Sequence, residues 1–131
     1  MNKNTIRMKL VETAKRVHTL KERFEYIAEN NKLEEFGGFF PGQYSVSVMN
    51  PLWEISDKER EAFRDWLSEK FTPNDDEYLL EYHLSNVDCV ISGYFHGLVD
   101  KKFEIDERVV KNYIESCGMV EKTILSIIEN L

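Results

Sequence analysis

The sequence predicts a mainly α-helical fold: a compact bundle of about four helices, at about 5–30, 57–71, 75–99 and 106–130, with an irregular aromatic and glycine-rich segment and a short strand at 36–55. Three observations predict it. At one end Ile6, Leu10, Val17, Leu20, Phe24 and Ile27 recur at intervals of three, four and seven. At the other end Val110, Tyr113, Cys117, Val120, Ile124, Ile127 and Leu131 do the same. Such spacing falls on one side of an α-helix, so each terminus needs a partner surface. Between them, Ser56-Asp57-Lys58-Glu59 reads as a helix start.

The first helix runs to the Asn30-Asn31 pair. Gly37, Gly38, Pro41, Gly42 and Pro51 then forbid a continuous helix. Tyr44, Val46 and Val48 alternate with Ser45 and Ser47, a short strand pattern. In the second helix the Ser56 hydroxyl accepts from the Glu59 amide, and the Glu59 carboxylate is expected to reach back to Ser56. Ala62, Phe63, Trp66 and Leu67 form its inner face, and Thr72-Pro73 follows its end.

Residues 75–99 carry two readings. Leu80, Leu84, Val87, Ile91, Tyr94 and Leu98 make a helical stripe, opposite Glu77, Glu81, Ser85, Asp88 and Ser92. Alternation of Tyr78, Leu80, Tyr82 and Leu84, with a β-rich composition, supports strands instead. That alternative is an α+β fold with a small antiparallel sheet from 43–49, 77–84 and 88–95. The longer periodicity favours the helix. The last helix takes Asp106 as N-cap, with Gly118 as its weak point.

A chain of 131 residues can bury a self-sufficient core, and a single domain over 1–131 is expected. The 42% hydrophobic and 31% charged residues argue against disorder. No apolar run approaches the roughly 18 residues that span a bilayer. The basic N-terminus lacks an apolar segment of signal-peptide length, so a cytoplasmic location is expected. Cys89 and Cys117 sit among apolar neighbours and are expected as buried, reduced thiols.

The net charge of −7 is uneven: residues 1–23 hold seven basic residues against two acidic, leaving −12 for the remainder. A basic first helix packed beside acidic neighbours accounts for this. Lys9, Arg16 and Arg23 are spaced by seven, but no aromatic interleaves them and an acidic chain repels phosphate, so nucleic acid is disfavoured as a partner.

Chemistry-bearing patterns are sparse. His18, His83 and His96 fit no zinc or di-iron spacing, although His18 and Glu22 lie one helical turn apart; no metal and no cofactor is expected. No nucleophile elbow or phosphate loop occurs. An enzyme built on His83, His96 and the acidic run at 75–77 is a minor reading. What stands out is surface chemistry. Phe36, Phe39, Phe40, Tyr44 and Trp53 crowd a segment that is not helical, and Asp57, Glu61 and Asp65 line one face of the second helix. Buried, these rings would cap the open end of the bundle, and by default the acidic face is a solvated surface; exposed, the rings would anchor an interface and the acidic face would steer a basic partner.

Phe39, Phe40, Tyr44, Trp53, Asp57, Glu61 and Asp65 are therefore the candidate partner-binding residues. The expectation is a non-enzymatic protein-binding module: a small acidic stoichiometric inhibitor, such as a toxin-neutralising immunity protein or a phage-encoded inhibitor. Its partner would be another protein with a basic surface, and no membrane is implicated. Homodimerisation through an unused stripe of a terminal helix is compatible with this. The rival reading is a regulatory domain sensing a small ligand in a pocket beneath the 36–55 segment.

Overall fold

The computed structural model describes residues 1–30, 48–88 and 107–131. They form a helical bundle: α1 (Lys3–Asn30), α2 (Asn50–Trp53), α3 (Asp57–Lys70), α4 (80–88) and α5 (Glu107–Asn130), with no strand among the described residues.

The terminal helices pack along each other. Phe24 stacks on Tyr113 with ring centroids 5.3 Å apart, and His18 meets Glu121 at 2.8 Å. As the residue number falls on α1 it rises on α5, so the two run antiparallel. Ile6, Leu10, Val17, Leu20 and Phe24 are buried against Val110, Cys117, Val120, Ile124 and Ile127. Thr13 fills the gap in the first stripe, fully buried, its hydroxyl donating to the Lys9 carbonyl at 2.9 Å. Thr123 does the same toward Met119 at 3.0 Å. A threonine bonded to its own preceding turn keeps its shape and loses its polarity, so it serves as a core residue. The side chain of Ile27 lies outside the described residues.

α3, α4 and the stretch before α3 close the core with Phe63 and Leu67, with Leu80, Leu84 and Val87, and with Val48, Met49, Leu52 and Ile55. Ser56 caps α3, accepting from the Glu59 amide at 3.2 Å. The Glu59 carboxylate corrects the expected capping box. It accepts from the Asn2 amide at 2.7 Å, tying the chain start to α3. Helix α3 ends at Lys70, and Phe71, placed inside the helix by the sequence, is its extended C-cap.

Two other expectations change. The helix anticipated from residue 75 begins at 80, because Thr72 and Asp75 bond reciprocally: the Asp75 amide to the Thr72 carbonyl at 2.9 Å, and the Thr72 amide to the Asp75 carboxylate at 2.8 Å. That local turn competes with helix and wins beside Pro73. Residues 89–99 lie outside the described residues, as do the N-cap at Asp106 and the strand positions 43–47. Val48 and Met49 form a turn, and Pro51 sits in the first turn of α2, where its missing N–H costs nothing. The antiparallel sheet is not supported, since 77–79 are turn and 80–88 helix.

Candidate functional site

Charge pairing decides which side chains remain available. Lys9 on α1 reaches Glu54 at 2.8 Å and Glu12 at 3.6 Å. The bond from Lys9 holds the Glu54 carboxyl below its ordinary value. Lys21 on α1 lies 3.5 Å from Glu121 on α5. The basic first helix thus packs beside acidic neighbours, as the sequence suggested.

On α3, Asp57, Glu61 and Asp65 are exposed, on the side away from buried Phe63 and Leu67. Four-residue spacing keeps them along one face. Asp57 pairs with Arg60, one turn on. Glu61 and Asp65 make no ion pair among the described residues. Arg64, beside them, is held by both oxygens of Glu81 at 2.8 and 3.0 Å, which fastens α3 to α4. That clamp forms one wall of an open groove of about 350 Å³, lined by Arg64, Asp65, Leu67, Ser68, Tyr78 and Glu81.

Exposed aromatic rings lie on either side of α3 in the chain, and Tyr78 lines the groove. Trp53, at the C-terminal end of α2 and just ahead of the α3 cap, is 52% exposed; Tyr78 is 38% and Tyr82 62% exposed. Of the residues singled out from sequence, Trp53, Asp57, Glu61 and Asp65 are each exposed. Phe39, Phe40 and Tyr44 lie outside the described residues. Tyr78 and Tyr82 were missed as surface groups: read as strand, they fell on the same side as Leu80 and Leu84. Their four-residue spacing was the available signal.

A second, narrower cavity of about 70 Å³ lies between α1, α4 and α5, lined by residues that include Phe24, His83, Tyr113, Ser116 and Cys117. His83 Nε2 is buried there 3.5 Å from Asp76 Oδ1, too loosely aligned for a hydrogen bond. Burial pushes the Cys117 thiol up to about 12, with the Glu121 charge adding to it, and pushes the Tyr113 phenol up to about 12. Neither group ionises near neutrality, so neither is an activated nucleophile. His96 and Cys89 lie outside the described residues. The His18 and Glu22 pair exists at 2.8 Å, but no three His, Cys, Asp or Glu side chains among the described residues are arranged to hold a metal ion.

No described helix is long and apolar enough to cross a membrane. Neither a protein-family model, nor a curated protein, nor a solved structure matches this chain.

Proposed function

We propose that this chain is a non-enzymatic protein-binding module, a small acidic stoichiometric inhibitor of the immunity-protein or phage-inhibitor kind, acting in the cytoplasm on a partner with a basic surface. One observation carries the reading: Glu61 and Asp65 stand exposed on α3 and make no ion pair among the described residues, whereas Glu54, Glu81 and Glu121 are each engaged by a cation within the fold. Unpaired carboxylates on one face attract a cationic partner over a Debye length and speed encounter. Trp53, Tyr78 and Tyr82 supply the amphipathic rings on which interfaces anchor.

The rival reading, a small ligand held beneath the 36–55 segment, falls largely outside the described residues, which cover only 48–55 of it. The 70 Å³ cavity touches none of residues 48–55. It is well below the roughly 300–1,000 Å³ of ordinary ligand pockets.

The test is affinity capture from the native host with the wild type and with the triple variant Asp57→Lys, Glu61→Lys, Asp65→Lys. The wild type should retain a stoichiometric partner that the variant loses. Association with that partner should slow by about tenfold or more in high salt, the signature of electrostatic steering. Salt-insensitive association, or equal capture by both proteins, would remove the proposal.

A further inference from the structure

His18 stands at the seam between the two terminal helices with its ring between two carboxylates. Its Nδ1 is 2.8 Å from Glu121 Oε1 on α5, and its Nε2 is 2.8 Å from Glu22 Oε1, one turn further along α1. Both distances are those of charge-assisted hydrogen bonds. A neutral imidazole owns one N–H and one lone pair. It can donate to one carboxylate only, and must then turn its lone pair on the other. With both carboxylates ionised, only the imidazolium, carrying a proton on each nitrogen, satisfies both contacts.

The carboxylates around it favour that state, and the nearby lysines oppose it. On α1 the neighbours are Lys15, exposed one turn back, Lys21 and Glu22; on α5 they are Glu121 and the neutral Cys117 thiol. Lys21 lies 3.5 Å from the second oxygen of Glu121, so that carboxylate is shared between two cations of α1. Glu121 is the more sheltered carboxylate, its side chain 20% exposed against 64% for Glu22.

We infer that His18 is a proton-operated clasp between the terminal helices: as imidazolium it ties α1 to α5 through Glu121, and on losing its proton it gives up the outer contact with Glu22 and its charge attraction to Glu121. A single neutral-donor hydrogen bond to the sheltered Glu121 is what remains. The hydrogen bond and then the charge of Glu121 raise the imidazole above the ordinary histidine range against desolvation, and the charge and hydrogen bond of Glu22 add less. A group raised in the folded state contributes its stabilisation fully below its unfolded value and loses it as pH rises through the folded value. The seam at this level is therefore tighter on the acid side of neutrality.

The test is a side-chain NMR titration of the histidines in the whole chain, folded and in urea, together with Glu121→Gln and Glu22→Gln. His18 should titrate higher folded than in urea. Glu121→Gln should lower that midpoint and abolish the extra amide-exchange protection of residues 117–121 at acid pH, after correction for intrinsic exchange. Glu22→Gln should lower the midpoint and leave part of that protection. A folded midpoint at or below the urea value would overturn the clasp, and so would a midpoint indifferent to Glu121→Gln. The comparison of folded and urea-unfolded wild type decides the matter even where a variant fails to fold.

Discussion

Cys117 shows how far one side chain's chemistry is set by its surroundings. It is 1% exposed, in the α5 stripe that packs on α1, and its thiol is pushed up to about 12. The thiolate is the reactive form, so this cysteine should behave as a small hydrophobe. Iodoacetamide at mildly alkaline pH, with site-localised mass spectrometry, should leave Cys117 unmodified in the native protein and modify it readily in urea. Native labelling at the rate of an open thiol would mean that the α1–α5 seam is not closed.

Two element-scale features differ in sign. Ser56 satisfies an otherwise unpaired amide at the start of α3, its side chain accepting from the Glu59 amide. Ser56→Ala should cost about 0.5–2 kcal/mol in urea unfolding, with an unchanged denaturant slope. An unchanged midpoint would show the cap to be dispensable. Gly118 lies in the interior of α5, and a Cβ built there meets nothing nearer than the Lys21 ammonium at 3.9 Å. That is ordinary contact with the flexible end of a side chain. Gly118→Ala should therefore stabilise by roughly 0.5–1 kcal/mol, because glycine gives up more backbone freedom on folding. A loss of stability would mean that the ammonium of Lys21 cannot move aside from Glu121.

At the scale of the whole molecule, pairs between helices set a window of pH. Glu54 is lowered by Lys9, so its contribution is present above its unfolded value and fades as acid carries the pH down through the folded one. His18 is raised by Glu121, so its contribution fades as the pH climbs. Both groups are solvent-facing, and each effect is small. The urea midpoint should be greatest between the carboxylate and histidine ranges. The alkaline decline should be shallower in His18→Gln and the acid decline shallower in Lys9→Ala. Identical profiles for all three proteins would assign the pH response to other groups.

The terminal stripes were legible because a three-four repeat admits one regular solution, and Ile6, Leu10, Val17, Leu20 and Phe24 are buried as it requires. Thr13 was not, since its polarity breaks the apolar pattern until the hydroxyl finds the Lys9 carbonyl. The acidic face was legible as spacing along α3. The start of α4 was not, because the turn at 72–75 and the turn bonds of Leu79 and Leu80 to Asp76 and Glu77 override the local periodicity. By itself the sequence determined a helical bundle whose ends are amphipathic, because periodicity is a local property of the chain. Tertiary packing alone set which distant charges meet: Lys9 with Glu54, Arg64 with Glu81, and His18 with Glu121. Most of these partners are far apart along the chain, and no local pattern encodes a long-range pair.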